Sequence, residues 1–262
     1  MKILFAGDIV GDPGRAVFIK MAALVRSRGE ADVIIANAEN AAGGSGITEK
    51  IARELFAAGC DVITLGDHVW DKKDLIPFLK DEPRMLRPAN FPAGAPGRGA
   101  CIFTTPKGLK VGVLVLLGRT FMKYLTDCPF QALDRELKLM AAEGVTTVFV
   151  DIHAEATSEK VAMGVYADGR VSAVVGTHTH IQTADDKILS GGTAYLTDAG
   201  MTGPYDSVIG TVKERIIERY LTGLPNKFEV APGPGTFCGV LIDIDELTGK
   251  ARSIERVQKN IN

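Results

Sequence analysis

Short apolar runs recur along the first third of the chain, and each gives way to a polar group, a turn and a stretch with helical signals. Ile3 to Ala6 leads into the glycine-rich Gly7-Asp8-Ile9-Val10-Gly11-Asp12-Pro13-Gly14 and then a helix from about Arg15 to Arg28. Val33 to Ala36 leads into Asn37-Ala38-Glu39-Asn40, a second glycine-rich turn, and a helix from about Glu49 to Ala58 with Thr48 as its N-cap. Val62 to Leu65 leads into Gly66-Asp67-His68, with a helix after Asp71. Three such units in succession predict a largely parallel sheet, and ligands bind such sheets at the carboxyl ends of the strands.

The pattern then changes. Pro83 to Gly99, with Arg87-Pro88-Ala89-Asn90-Phe91-Pro92 at its centre, holds too many prolines for a regular helix or central strand and predicts a long surface loop. Cys101 to Thr105 and Leu109 to Leu117 predict paired strands around Pro106-Lys107-Gly108. After a helix from about Gln131 to Glu143, the apolar run Thr147 to Ile152 ends in His153, and Thr157 or Ser158 is placed to cap a short helix. Val174-Val175-Gly176-Thr177-His178-Thr179-His180 is another strand-like run. In an extended segment the two histidines, two residues apart, would point to the same face. Ala194 to Asp198, a helix near Lys213 to Tyr220, strands near Phe228 to Val230 and Phe237 to Ile244, and a hairpin closing on Ala251 to Val257 complete the chain. Parallel units followed by hairpins fit an α/β fold with one mixed sheet, or two sheets packed as a sandwich between helices. With no repeat array or linker, residues 1–262 are expected to form a single domain.

Composition narrows the function. A net charge of −2, from 30 basic and 32 acidic residues, gives no global attraction to nucleic acid or anionic membranes, and 6% aromatic content with no basic stripe disfavours an RNA binder. The four cysteines are scattered without a Cys-x-x-Cys pair and read as reduced. No apolar run is long enough to span a bilayer, and the chain starts directly in a strand rather than a signal peptide, so a cytoplasmic enzyme is expected. Homo-oligomerisation is left open.

The four histidines, His68, His153, His178 and His180, all fall where an apolar strand gives way to a loop. Asp8, Glu39, Asn40 and Asp67 occupy equivalent strand ends. A parallel sheet gathers these groups on one edge, and a mixed oxygen and nitrogen set of this size suits two divalent metals better than one tetrahedral zinc.

On these segments, together with Arg87 to Pro92, Asp151 to Lys160 and Thr202 to Asp206, the sequence resembles the metallophosphoesterases, specifically the YmdB-like family of bacterial phosphodiesterases. The resemblance implies a calcineurin-like sandwich with the active site at the strand C-termini. It also implies that Asp8, Asn40 and His180 bind one metal, that Asp67, His153 and His178 bind a second, and that Glu39 bridges them. Iron or manganese is the implied pair, with zinc or magnesium as alternatives, and 2′,3′-cyclic nucleotides or other phosphodiesters are the implied substrates. Two metals so placed lower the pKa of a bridging water and offset charge on the phosphoryl oxygens. His68 is then free to protonate the leaving alkoxide. Asn40 and Arg119 are the candidate substrate contacts, with Arg87, Asn90, Trp70 and Tyr205 behind them.

One position departs from the family, which usually carries Gly-Asn-His where this chain has Gly66-Asp67-His68. An added carboxylate strengthens metal binding while making the site less attractive to an anionic diester. Two further readings stay open: a phosphomonoesterase using the same metals, and a nucleotide-sensing regulatory protein with little or no turnover.

Overall fold

The computed structural model describes residues 1–261. In chain order the elements are β1 (Lys2–Ala6), α1 (Gly11–Arg28), β2 (Val33–Asn37), α2 (Glu49–Ala57), β3 (Val62–Thr64), α3 (Leu75–Asp81), β4 (Met85–Leu86), β5 (Ala100–Thr104) and β6 (Lys110–Leu117). They continue with α4 (Pro129–Ala142), β7 (Thr147–His153), α5 (Thr157–Ala167), β8 (Ala173–Thr177), β9 (Lys187–Ile188), β10 (Ala194–Leu196), β11 (Gly203–Pro204), α6 (Lys213–Thr222), β12 (Gly235–Ile244) and β13 (Ala251–Asn260). No described helix is long and apolar enough to cross a membrane.

The strands form two mixed sheets. One runs β11-β12-β1-β2-β3-β4, with β13 paired to β12; β1 to β4 are parallel, while β12 lies antiparallel to β1. The other runs β5-β6-β7-β8-β10-β9, parallel from β6 to β10 with antiparallel edges. Alternation along each strand decides which face a residue serves. In β1, Ile3 and Phe5 enter the core between the sheets, whereas Leu4 and Ala6 pack outward under α1 with Phe18 and Met21. In β7, Phe149 faces inward against Phe5, ring centroids 4.8 Å apart, and Val148, Val150 and Ile152 face out toward α4 and α5. The result is a sandwich of two sheets between helical layers. Burying each of those phenylalanines contributes roughly 1.5–3 kcal/mol.

Several elements differ from the sequence expectation. Helix α1 starts at Gly11, because Pro13 is tolerated in a first turn whose N–H groups have no intrahelical partner. Thr48 does cap α2, accepting the Ile51 N–H, but Thr157 and Ser158 do not cap α5: Ala156 is the N-cap residue, without a side-chain bond. Residues 228–230 make only an isolated bridge, Val230 to Thr211. Part of the proline-rich stretch is buried rather than superficial. Met85–Leu86 adds an edge strand, and the Asn90 side chain is fully buried, its Nδ2 donating to the carbonyls of Leu117 and Asp127 at 2.7 and 3.0 Å.

Candidate metal centre

The inward-facing positions change character at the carboxyl ends of the strands. Asn37, Thr64, Asp151 and Thr177 follow the apolar inward residues of β2, β3, β7 and β8 and form a buried polar floor. Asp151 is its centre. Its Oδ2 accepts from Asn37 Nδ2 at 3.1 Å and Thr64 Oγ1 at 2.6 Å, and its Oδ1 from Thr177 Oγ1 at 2.7 Å. Burial pushes its carboxyl up to about 6 despite these bonds. With the Thr177 hydroxyl proton committed to Asp151, the hydroxyl oxygen accepts from His153 Nδ1–H at 2.8 Å, which leaves His153 Nε2 facing the cluster above. Asp151 carried a sequence signal: it is an acid in an apolar strand, two residues before a histidine and on the same face.

Above the floor, Glu39, Asp67, His153 and His178 bring one ligand atom each to within 4.8 Å of one another. His153 Nε2 lies 3.1 Å from Glu39 Oε1, 3.2 Å from Asp67 Oδ1 and 3.1 Å from His178 Nδ1. Burial opposes a charged His153, but Glu39, Asp67 and Asp8 outweigh it and raise the imidazole well above its ordinary value. Burial likewise acts to raise Glu39 and Asp67, and contact with His153 reverses this, holding both below the usual carboxylate range. Gly66 makes the approach sterically feasible, since a Cβ there would lie 2.3 Å from His153 Nε2 and 2.4 Å from Glu39 Oε2.

A second group adjoins the first. His180 Nε2 lies 3.9 Å from Asp8 Oδ1 and 3.2 Å from Asn40 Nδ2, and the same Asn40 nitrogen donates to Glu39 Oε1 at 3.2 Å. Glu39 therefore touches both groups. Asp8 Oδ2 accepts the His178 N–H at 3.0 Å, while burial pushes the Asp8 carboxyl up.

The structure corrects the expected geometry of the two histidines. β8 ends at Thr177, and His178 and His180 lie beyond it with φ of 96° and 64°, so they turn apart instead of sharing the face of a strand. Such left-handed conformations cost on the order of 1–3 kcal/mol each outside glycine and persist only where surrounding contacts hold them. His178 Nε2 meets Glu155 Oε2 at 3.3 Å, and His180 Nδ1–H donates to the Ile209 carbonyl at 3.0 Å. These contacts direct the opposite ring nitrogens toward the two groups.

His68 stands at the rim. Its backbone N–H donates to Glu39 Oε2 at 3.1 Å, and its Nδ1 pairs with Asp71 Oδ2 at 2.8 Å. Burial lowers its basicity, but Glu39, Asp67 and Asp71 together raise it above the ordinary histidine value. Ser45 also donates to Asp71. Neither partner was foreseen, although Asp71 follows His68 by three residues in one turn. Arg119 lies exposed after β6, its backbone N–H on the Glu159 carboxylate at 3.0 Å, and is not part of either group. The Arg87 guanidinium is spent on the carbonyls of Pro88, Ala95 and Pro96, Trp70 packs edge-on against Phe91, and the Tyr205 hydroxyl pairs with Cys238 Sγ.

The donor set fits divalent cations. Three carboxylates, one imidazole and an amide are buried together beside the half-buried imidazoles of His178 and His180, and Asp8 Oδ1 is buried without a hydrogen-bond partner among the described residues. An orphaned anionic oxygen of this kind carries a desolvation cost that a cation removes. Two mixed sheets with these groups along one edge place the molecule among the metallophosphoesterase-type hydrolases.

Comparison gives the family. The family model described as YmdB-like protein matches residues 4–257, and the chain belongs to that family. It is 51% identical over 260 residues to the 2′,3′-cyclic-nucleotide 2′-phosphodiesterase of Bacillus subtilis (strain 168), covering 99% of this chain and 97% of that one. Among solved structures, a hypothetical protein from Thermus thermophilus superposes with a TM-score of 0.92 at 40% identity, over 99% of both chains. A novel phosphatase from Mycoplasma pneumoniae gives 0.91 at 34%, over 99% of this chain and 93% of that one. The chain is thus a hydrolase with a candidate metal-binding cluster, and all four cysteines are free, as composition indicated.

Proposed function

We propose that this chain is a dinuclear metal-dependent phosphodiesterase acting on 2′,3′-cyclic nucleotides, with iron or manganese in its two positions and residues 1–262 working as one catalytic domain. The observation that carries this is the placement of Glu39, whose carboxylate touches His153 on one side and, through Asn40, adjoins His180 and Asp8 on the other. Asp67, His153 and His178 would hold one ion, Asp8, Asn40 and His180 the other, and Glu39 both. When bound, such ions lower the pKa of water and oppose the charge on phosphoryl oxygens.

The chain's own residues supply the rest. The Thr177–Asp151 floor keeps His153 in the tautomer whose Nε2 lone pair faces the site, where proton and cation compete for it. Asn40 can turn its amide to exchange nitrogen and oxygen in nearly the same volume, presenting the oxygen. His68, held by Asp71, is the proton donor for the leaving alkoxide: the carboxylates of Glu39, Asp67 and Asp71 raise its imidazole above the ordinary histidine value. Asn40 and Arg119 are the proposed substrate contacts, one within the donor set and one from the exposed corner after β6. The Bacillus subtilis relative's name supports the cyclic-nucleotide assignment.

Rates on 2′,3′-cyclic AMP and bis-p-nitrophenyl phosphate, compared with p-nitrophenyl phosphate in metal-replete protein, test the proposal. Faster cleavage of the diesters is expected. A strong monoester preference, or nucleotide binding without turnover, would overturn it in favour of a phosphomonoesterase or a sensor.

A further inference from the structure

Lys160 and Asp198 form an ion pair with neither side chain exposed, Nζ to Oδ2 at 2.6 Å. Lys160 rises from α5 and Asp198 follows β10, and neither belongs to the donor set described above. A buried ion pair is a poor way merely to join a helix to a sheet, since an apolar pair of similar volume does so without desolvating two charges. What an apolar pair lacks is acceptors. Asp198 Oδ2 also takes the Thr179 N–H at 3.1 Å and the Thr179 hydroxyl at 2.7 Å, and Oδ1 takes the Gly200 N–H at 2.8 Å.

Thr179 is the residue between the two left-handed histidines, His178 and His180. Two hydrogen bonds to one charged oxygen fix it in place, and charge-assisted bonds of this kind are stronger than neutral ones. The ammonium of Lys160 is the buried counter-charge to that oxygen. Its stem passes beneath β8, where a Cβ on Gly176 would come within 3.0 Å of Lys160 Cδ and 1.8 Å of the Thr197 carbonyl oxygen. Gly176 thus leaves room for the lysine under the strand that carries the histidines.

We infer that the Lys160–Asp198 pair is a positioning device: by anchoring Thr179 it holds His178 and His180 in their opposed orientations, and so sets both halves of the metal centre at once. The inference rests on the two-metal reading given above. Lys160→Met or Asp198→Ala would leave a lone buried charge and endanger folding, so the test is made at Thr179. Thr179→Val keeps the shape and the backbone N–H but removes the hydroxyl bond, and Thr179→Ser retains the hydroxyl.

The experiment is titration of chelator-treated protein with Mn²⁺, followed by electron paramagnetic resonance, beside thermal unfolding of the same metal-free samples. Thr179→Val is expected to weaken binding of both equivalents by about 10- to 100-fold, the range for groups that orient ligands. Thr179→Ser should return them to near the wild-type value, and the metal-free unfolding temperature should be unchanged in both. Wild-type binding of two Mn²⁺ with Thr179→Val binding them equally well would reduce the pair to a helix-to-sheet staple and overturn the inference. Loss of affinity with an equal fall in metal-free stability, or loss confined to one equivalent, would also contradict it. Wild-type protein that takes up no Mn²⁺ would instead strike down the two-metal reading, and the inference with it.

Discussion

The two halves of the centre are held together in different ways. Around Asp67, His153 and His178, the contacts of 3.1 to 3.4 Å are direct side-chain contacts between imidazoles and a carboxylate. Around Asp8 and His180, the facing atoms stand 3.9 Å apart, one carboxylate oxygen has no partner among the described residues, and backbone tethers at Ile209 and His178 do the holding. On the two-metal proposal, a cation in the first half would take the place of these direct contacts, and one in the second would meet a carboxylate oxygen that has no hydrogen bond. Glu39 touches both, so the halves are coupled through one side chain.

Breaking that link has the largest expected effect. Glu39→Gln should lose both metals by elemental analysis, with diester hydrolysis falling by more than the roughly 10²–10⁴-fold typical of one acid or base. Retention of a full equivalent of metal would show the halves to be independent. Next is His68→Ala, which removes a proton donor without touching the ligand set: kcat should drop by about 10²–10⁴-fold with both metals retained. Metal loss in this variant would make His68 a ligand and redraw the boundary between the halves. Smallest is Asp67→Asn, which changes the charge only of the half around Asp67, His153 and His178. Metal affinity there should fall, by less than in Glu39→Gln because the amide oxygen can still ligate, while turnover rises, as one anion fewer faces the diester. If metal content and rate both stayed at wild-type values, the extra carboxylate would have no functional weight.

Much of this centre was legible because strand periodicity and strand ends are local properties. Asp8, Glu39, Asp67 and His153 close apolar runs, and parallel pairing of β1 to β3 and of β6 to β8 brings those ends to one edge. The turn at His178 to His180 was not legible: the apolar run leading into His-Thr-His reads as a continuing strand, and the contacts that hold the positive φ come from separate segments at Glu155, Asp198 and Ile209. The same holds for Asn90 and Arg87, whose loop composition indicated exposure while their side chains satisfy buried carbonyls. Two-residue strands such as β4 and β11 carry no periodicity at all. Within Asp151 to Lys160 the sequence assigned no role to Glu155, Glu159 or Lys160, and the structure gives each a different partner: Glu155 meets His178, Glu159 holds the corner at Arg119, and Lys160 pairs with Asp198.

The central claim is that Glu39 joins two metal positions, and the most direct measurement is the manganese content of wild-type protein reconstituted with Mn²⁺ and freed of excess metal. Two equivalents per chain are expected. One equivalent or none would contradict the account.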